Sequence, residues 1–371
     1  MSHNLTDNLT HKICNSQDKI QIQLKNWRVF EDTFFELPNQ SFLLTGDNGN
    51  GKTSFLMAVF ALLTGNVFGG KMIQNLRTNS HYFGIQTNIS NWSLTGQIGT
   101  TGRLKTNYQR PNLIFPNVLS YLPNENSWFE SGRTTKLAFL DNLLSQIYPK
   151  YSQTLTKFNK SLKIKQKFLQ ECNLQNSTGD QFLMHTLSQE VYENSVILWQ
   201  FRAQFWQELV NELHDFQTWL ATKITNWQIK WQVPNTQGIR QSVDFATNIE
   251  LKNINWQGLW TKELMVGQIL FGAHRDDFEI LANKTVIQNY FSRGEMRLFV
   301  LFIKSLAATI IKRSGECWGF FDDVFGELDS ARERILLDNL LSKMDYFIAT
   351  GTRRIDSFEH IYELKDLEIE K

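Results

Sequence analysis

Residues 46–53 of the chain follow the G-x-x-x-x-G-K-T pattern of a phosphate-binding loop (P-loop). The run 41–45 before the loop is short and apolar, and the run 54–64 after it has the length of a buried helix. In such a loop the glycines let successive N–H groups turn inward, and the helix N-terminus adds partial positive charge. This order predicts an α/β fold that binds ATP with Mg²⁺. The alternative is an ordinary Gly/Asn turn before a core helix.

The loop supplies the predicted nucleotide contacts and one metal ligand. Lys52 is expected to reach the β- and γ-phosphates and to act in catalysis, and the Thr53 hydroxyl is expected to ligate Mg²⁺. The other predicted contacts come from the loop and the next helical residue, namely Gly46, Asp47, Asn48, Gly49, Asn50, Gly51 and Ser54.

A pair of carboxylates follows a second apolar run. Asp322 and Asp323 come directly after the predicted buried strand 317–321 (CWGFF). An apolar strand that ends in a carboxylate is typical of the Walker B strand, which holds Mg²⁺ opposite a P-loop. Asp322 is therefore predicted to coordinate the metal, and Asp323 to orient or deprotonate the attacking water. Taken alone, two Asp after a strand are also typical of a helix cap or a turn.

Ser292-Arg293-Gly294-Glu295 stands at the start of a predicted helix and resembles the S-G-G-Q/E core of the ABC-ATPase signature, with Arg293 at the first glycine position. A Ser hydroxyl and free backbone N–H groups at a helix start favour phosphate binding. The alternative is an N-cap with a Glu near the third position, which is a capping box.

Two further positions follow the paired carboxylates. Residues 326–329 (GELD), which end in Asp329, match the D-loop of ABC ATPases. Thr350 ends the last predicted buried strand, 346–350, where those proteins keep a switch residue for the γ-phosphate. Thr350 is therefore a third catalytic candidate, although a Thr that closes a strand is common.

The rest of the chain alternates between strand-like and helical patterns. Predicted strands at 19–25, 34–37, 41–45, 317–321 and 346–350 and helices at 292–313 and 330–343 imply a largely parallel sheet. Apolar residues at steps of three and four run from Leu137 to Leu162 and, after a polar turn at 172–180, from Leu183 to Trp227. They predict two long helices in a hairpin, with Pro149 kinking or interrupting the first.

These elements predict an ABC/SMC-like P-loop ATPase head with a mixed sheet, interrupted by an inserted helical arm. The expected boundaries are a disordered tail at 1–18, the first part of the head at 19–130, the arm at 131–232 and the second part of the head at 233–371.

Composition limits the class of protein. With 38 Lys and Arg against 37 Asp and Glu, the formal net charge is +1, so only a local basic patch could attract nucleic acid. The three cysteines lie far apart, which fits a reducing cytosol. No apolar run approaches the roughly 18–20 residues of a membrane span, so a cytoplasmic protein without a membrane partner is expected.

In this order the motifs resemble those of the RecF family of DNA recombination and repair ATPases. The matching segments cover about residues 20–352 and comprise, besides the P-loop, 24–28 (LKNWR), 132–141 (GRTTKLAFLD), 272–277 (GAHRDD), 292–297 (SRGEMR) and 321–329 (FDDVFGELD). The GAHRDD stretch is the most family-specific. Met57, Ala273 and Lys136 depart from the family's usual residues, so the chain is a divergent member.

The resemblance implies an ATP-dependent homodimer in which the signature acts in trans on the nucleotide bound by the other subunit. It also implies slow, dimer-activated ATP hydrolysis, binding of double-stranded or gapped DNA, support of recombinase loading in recombinational repair and replication, and the partner proteins RecO and RecR. Arg28, which ends the LKNWR segment, is a further candidate for nucleotide binding.

A basic stretch of the first arm helix is the candidate DNA surface. No acidic residue occurs from 142 to 170, and this stretch carries six lysines, Lys150, Lys157, Lys160, Lys163, Lys165 and Lys167. Lysines can neutralise phosphates and give salt-dependent binding without base readout. The alternative is a solvated helix face. Arg28, Lys71 and Arg77 are further candidates.

Three other functions compete with a RecF-like DNA clamp. An SMC-type tether is disfavoured because the predicted insertion is far shorter than the coiled coils of those proteins. A transporter subunit would have no place for the GAHRDD stretch. A defence-system ATPase coupled to an effector on another polypeptide remains an alternative.

Overall fold

The computed structural model of the protein describes residues 19–370 except 69, 90, 129–131, 176, 221–222, 236–237, 245–254, 327 and 357. The predicted tail at 1–18 and Glu327 of the predicted D-loop lie outside the described residues. The chain divides into two compact units. One contains the chain up to Pro123 and from Ala307 onward, and the other contains Asn124–Leu306.

The helices and strands are numbered in chain order. The α-helices are α1 (Lys52–Thr64), α2 (Arg133–Ile147), α3 (Pro149–Leu174), α4 (Gln181–Phe216), α5 (Trp256–Val266), α6 (Ile287–Tyr290), α7 (Arg293–Lys312), α8 (Ser330–Leu340) and α9 (Leu364–Leu367). The strands are β1 (Gln21–Trp27), β2 (Phe30–Glu36), β3 (Phe42–Thr45), β4 (Tyr82–Thr87), β5 (Ser93–Ile98), β6 (Leu104–Gln109), β7 (Asn117–Tyr121), β8 (Trp227–Pro234), β9 (Arg240–Val243), β10 (Asp277–Ala282), β11 (Thr285–Val286), β12 (Cys317–Phe321), β13 (Tyr346–Thr350), β14 (Ile361–Glu363) and β15 (Glu368–Ile369). Within the described part of the chain, no helix is both long and apolar enough to cross a bilayer.

A five-stranded parallel sheet with the order β14-β3-β13-β12-β7 forms the centre of the first unit. Every residue of β12 and β13 is buried, and so is every residue of β3. Such continuous apolar runs are typical of parallel strands that are covered on both faces. Because β3, β13 and β12 are adjacent and parallel, their carboxyl ends lie side by side at one edge.

A second sheet in the same unit has six strands in the order β15-β2-β1-β4-β5-β6, and all its pairs are antiparallel. Its side chains pack in one apolar core with helix α1 and with β3, β12 and β13. The Trp27 indole N–H donates to the Ser54 carbonyl at 2.9 Å, and the rings of Phe35 and Phe55 meet edge to face at 4.9 Å. Helix α1 is therefore held by contacts to side chains of both sheets.

The largely parallel sheet predicted from the sequence is correct for one sheet of this unit and wrong for the other. The alternating pattern at 19–25 does form a strand, β1, but its neighbours β2 and β4 run antiparallel to it. For β1 and β2 the connection explains the difference, because a tight turn joins them and a parallel pair needs a longer crossover. The predicted strands at 317–321 and 346–350 are confirmed as β12 and β13.

The second unit contains the predicted pair of long helices, α3 and α4. Pro149 interrupts the first arm, as predicted, since α2 ends at Ile147 and Pro149 opens α3, a helix position where its missing N–H costs nothing. The helical pattern extrapolated to Trp227 is wrong beyond Phe216. Leu220 and Ile224 are buried in irregular chain, and Trp227 opens β8, where it pairs with Ala282.

A four-stranded sheet of order β11-β10-β8-β9 belongs to the same unit, and all its strands pair antiparallel. The predicted arm, 131–232, lies within this unit, which begins at Asn124 and extends to Leu306. Strand pairing explains the larger size. Residues 227–232 of β8 pair with 277–282 of β10, which ties the chain beyond 232 to the chain before it.

Arg202, on α4, is the centre of a buried polar cluster in this unit, with only 1% of its side chain exposed. Its guanidinium donates to Asp276 at 2.5 Å and to Asp141 at 2.7 Å, and Asp276 also accepts from the Trp199 indole N–H at 2.9 Å. Burial lowers the pKa of Arg202. Tyr151, Asp141 and Asp276 raise this pKa by more than burial lowers it, so the net shift is upward. The two acids come from the segments 132–141 and 272–277 that resemble the RecF family, whereas the sequence offered no signal for Arg202.

We expect the substitution Arg202→Met to lower the free energy of unfolding by about 3–5 kcal/mol, because it leaves buried carboxylates without their partner. Urea denaturation followed by circular dichroism measures this loss. The matched control is Arg240→Met, since Arg240 pairs with Asp277 at 3.2 Å with 41% of its side chain exposed. The control should lose no more than about 1 kcal/mol. Equal losses in the two variants would contradict the assigned role of the cluster.

Candidate nucleotide-binding site

The loop between β3 and α1 has the backbone of a phosphate-binding loop. Gly46, Gly49 and Gly51 have positive φ angles of 126°, 90° and 89°, which side-chain-bearing residues rarely adopt. At Gly51 a Cβ atom would also lie 3.0 Å from the Phe30 ring and 3.1 Å from Val29. Gly51 caps α1, and the first turn of that helix has no acidic residue, so its N–H groups suit an anion. An ordinary turn would not require this combination.

Lys52 is held inside the loop. Its Nζ atom donates to the carbonyls of Gly46 at 2.6 Å and Asp47 at 2.8 Å, and only 8% of the residue is exposed. Burial lowers the pKa of Lys52, while Asp322, Asp323 and Asp47 oppose the shift. The ammonium therefore lies where the loop would surround phosphate oxygens.

The Asp322 carboxylate lies between two hydroxyl groups. Thr53, the second residue of α1, donates to it at 2.8 Å, and Thr350, at the end of β13, donates at 2.6 Å. Hydroxyl and carboxylate oxygens are the hard ligands that Mg²⁺ prefers, and this ion usually keeps several waters beside one or two carboxylates and substrate phosphates. Among the described residues there is no group of three or more His, Cys, Asp and Glu that could hold a metal. The Thr53 hydroxyl and the Asp322 carboxylate fit a Mg²⁺ ion whose other ligands are waters and the phosphates of a nucleotide.

Asp323 is positioned by its own backbone and by Thr350. Its N–H donates to the Thr350 hydroxyl at 2.8 Å, and its φ angle of 43° is in the left-handed region. Thr350 therefore accepts from one aspartate and donates to the other. A half-buried carboxylate beside the metal-binding position is where a water-orienting group is needed.

A cavity of about 190 Å³ joins these groups. Its lining includes most of the residues predicted for the site, Asn48, Gly49, Gly51, Lys52, Thr53, Ser54, Asp322, Asp323 and Thr350. Sequence reasoning missed Val29, Gly351 and Thr352, which also line it and have no distinguishing local motif. Arg28 is not part of this lining. Its guanidinium instead donates to the Met57 sulfur at 2.6 Å. The predicted contact between Arg28 and nucleotide therefore has no support in this arrangement.

The predicted signature lies in the second unit, at the start of α7, and forms the capping box that was its alternative interpretation. Glu295 accepts from the Ser292 N–H at 2.9 Å and from its hydroxyl at 2.8 Å, and the Glu295 N–H donates back to that hydroxyl at 3.3 Å. Ser292 and Arg293 are exposed, while Gly294 is half-buried. The cap orders the helix start without covering it.

Asp329, the last residue of the predicted D-loop, caps helix α8. Its carboxylate accepts from the Arg332 N–H at 2.9 Å, and its carbonyl accepts from the Glu333 N–H at 2.9 Å. The residue is exposed and has a local structural role.

The six candidate DNA-binding lysines fall into two groups. Lys150, Lys157, Lys160, Lys163 and Lys167 are exposed on α3. Lys165 is 1% exposed and pairs with the fully buried Glu263 of α5 at 2.8 Å, so its assignment to a DNA surface is wrong. A step of two residues along a helix turns the side chain to another face, and the partner on α5 was not visible in the sequence. Lys71 is exposed, and Arg77 pairs with Glu31 at 3.1 Å.

The chain is similar to a family model, to curated proteins and to solved structures. The family model of the AAA domain matches residues 21–205. The DNA replication and repair proteins RecF of Bacillus thuringiensis (strain Al Hakam) and Bacillus cereus (strain B4264) are each 25% identical over 360 residues, which is 92% of this chain and 93% of theirs. Two solved structures of the recombination mediator protein RecF in the RecFOR pathway, described as RecF-ATPrS and RecF-ATP, share the fold. Their TM-scores are 0.71 and 0.72 at 21% and 20% identity, covering 96% of this chain and 100% and 99% of theirs.

We expect Thr350→Val to lower the rate of ATP hydrolysis by about tenfold or more while ATP binding stays close to that of the native chain. The isosteric change leaves the Asp323 N–H without its acceptor and removes one of the two hydroxyl donors to Asp322. A buried group that loses its partner costs about 1–3 kcal/mol. Phosphate release measures hydrolysis, and a fluorescent ATP analogue measures binding. The control is Thr106→Val, on the exposed face of β6. If Thr350→Val hydrolysed ATP at the native rate, the Thr350 hydroxyl would have no role in hydrolysis.

Proposed function

We propose that this chain, which belongs to the RecF family of SMC-like ATPases, is an ATP-dependent DNA-binding protein of recombinational repair and replication. The observation that carries the proposal is the meeting of Lys52, Thr53, Asp322, Asp323 and Thr350 at the ends of three adjacent parallel strands. The similarity to RecF proteins over 92% of the chain supports the choice of DNA as the ligand that ATP controls. A cytoplasmic location follows from this function.

In the proposed mechanism the loop binds the triphosphate and Lys52 neutralises its β- and γ-phosphates. Thr53 and Asp322 would hold Mg²⁺, which when bound supplies charge neutralisation at the phosphates. Asp323 orients the attacking water and accepts its proton at the carboxylate. The Thr350 hydroxyl holds both aspartates in position, since it donates to the Asp322 carboxylate and accepts from the Asp323 N–H. Hydrolysis is slow, so that the ATP-bound state lasts long enough to act on DNA.

We further propose that ATP acts as a dimerising ligand. In this proposal the starts of α1 and α7 both bind phosphate. One chain uses only the α1 start on its own nucleotide, and the α7 start faces the nucleotide of a second copy. The exposure of Ser292 and Arg293 supports the role of the α7 start as a signature in trans. The closed homodimer clamps double-stranded DNA at gaps, and hydrolysis releases it.

RecO and RecR are the proposed protein partners, and support of recombinase loading is the proposed outcome. The support comes from the solved relatives, which are described as parts of the RecFOR pathway. The exposed lysines of α3 are the proposed source of phosphate contacts to DNA.

The substitution Lys52→Ala should abolish ATP-dependent DNA binding, because it removes the cation that neutralises the phosphates. Fluorescence anisotropy of a labelled gapped duplex is measured with ATP, with ADP and without nucleotide. The control is Lys105→Ala, which removes an exposed lysine of β6. The native chain and the control should bind tightly only with ATP. If Lys52→Ala bound the duplex as tightly as the native chain does with ATP, the P-loop would not control DNA binding.

The substitution Ser292→Arg should leave ATP binding by the monomer intact and block both dimerisation and hydrolysis. The larger, charged side chain would fill the position that a second copy's nucleotide is proposed to approach. Analytical ultracentrifugation with ATP reports dimerisation, and phosphate release reports hydrolysis. Ser342→Arg, at an exposed serine in the first unit, is the control. Hydrolysis at the native rate in Ser292→Arg would contradict the role in trans.

A further inference from the structure

A cavity of about 570 Å³ lies within the second unit, and no residue of the predicted signature lines it. The start of α2, one face of α3 and the short helical turn at 273–275 form its walls. Five of its lining residues are of basic types, namely Arg133, Lys163, Lys167, His274 and Arg275. The last two belong to the GAHRDD stretch.

The cavity is rich in positive charge. Four of its lining side chains are Lys or Arg, and none of its lining residues is Asp or Glu. Arg133, Lys163 and Arg275 form no ion pair with any residue that the structure describes. Lys167 pairs with Glu171 at 3.6 Å, but both side chains are more than half exposed, so water weakens that pair. The cationic groups therefore lack a strong neutralising partner among the described residues.

The walls are fixed by hydrogen bonds that do not consume these charges. Arg133 donates to the Arg275 carbonyl at 3.2 Å, which ties the start of α2 to the helical turn. The buried Arg202 donates to the Ala273 carbonyl at 2.8 Å, on the same turn. Lys163 and Lys167 are four residues apart on α3 and so share one face. The two lysines and two arginines thus line one common space.

The ionisation of two groups fits an anion site. Burial lowers the pKa of Arg275, the like charges of Arg133 and Arg240 lower it further, and Glu263 opposes the shift. Neighbouring like charges that repel one another are stabilised when an anion binds between them. Burial lowers the pKa of His274 to about 4, so its ring is neutral at pH 7 and the charge comes from the lysines and arginines.

We propose that this cavity binds a phosphate group of a nucleic-acid strand. Arginine forks bind phosphate with two parallel hydrogen bonds, and lysines add point charges. The space exceeds that of a phosphate alone and has apolar walls at Leu162 and Ile269, which suits a phosphate with its attached nucleoside. The inference rests on the proposed DNA binding and narrows it, because only two of the exposed α3 lysines line the cavity.

The test uses the full-length chain with ATP and Mg²⁺ and a labelled gapped duplex, whose affinity is measured by anisotropy over a range of salt concentrations. The double substitution Lys163→Gln/Lys167→Gln removes two cations that would neutralise the phosphate and no hydrogen bond of the walls. It should reduce the slope of log affinity against log salt by about 0.9, which is the contribution of the one phosphate that the cavity no longer neutralises. Arg275→Gln should reduce the slope by about 0.9, and Arg275→Lys should restore most of it.

A matched double variant separates the cavity from a diffuse basic surface. Lys223→Gln/Lys230→Gln removes the same charge from exposed lysines elsewhere in the unit, outside the cavity lining. It should change the slope by much less than the cavity variant. Equal changes in the two variants would overturn the inference while leaving ATP-dependent DNA binding intact. Unchanged melting temperatures confirm that the variants fold.

The remaining arm asks which molecule carries the phosphate. Calorimetric titration of the Lys52→Ala variant, whose P-loop is disabled, uses deoxyadenosine monophosphate and then inorganic phosphate. Weak or absent binding supports a nucleic-acid strand. Tight binding that Lys163→Gln/Lys167→Gln removes would assign the cavity to a free nucleotide or phosphate and overturn the nucleic-acid assignment. If the native chain binds no DNA at all, the proposed function fails together with the inference.

Discussion

The candidate nucleotide site depends on the hydrogen bonds that the Asp322 carboxylate accepts from Thr53 and Thr350. These three residues come from the start of α1 and from the ends of β12 and β13, and they meet because β3, β13 and β12 are adjacent and parallel. In a parallel sheet every carboxyl end faces the same edge, so a loop that follows one strand lies beside the loops that follow its neighbours. Every residue of these three strands is buried, and the Thr350 hydroxyl at the end of β13 positions Asp323 by accepting from its N–H.

A buried charge has a comparable role in the second unit. Arg202 binds Asp141, Asp276 and the Ala273 carbonyl, and in doing so it joins two segments that are far apart in the sequence. This contact explains in structural terms why an acidic residue stands at both positions. Two adjacent residues of the GAHRDD stretch thus have different surroundings. Asp276 is fully buried, and Arg275 lines the basic cavity.

Several features of the fold and the site could be predicted because their signals are local. The P-loop, the apolar strand before the paired aspartates and the helix start at Ser292 each depend on neighbouring residues, and the structure places them as expected. Errors arose where a distant partner decided the outcome. Lys165 belongs to a basic stretch but pairs with Glu263 inside the unit, and the apolar rhythm beyond Phe216 reflects burial against other elements rather than a continued helix.

The sequence by itself determined the phosphate-binding loop, the order of the ATPase motifs and the interruption of the helical arm at Pro149. Those features follow from the φ preferences of glycine and proline and from the periodicity of apolar residues, which act over a few positions. Only the tertiary structure decided which carboxylate each hydroxyl meets, which lysine is buried and where Arg202 finds its partners. Such contacts join residues as much as 269 positions apart, as Thr53 and Asp322 are, and the physical reason is that strand pairing and core packing, not local preference, bring them together.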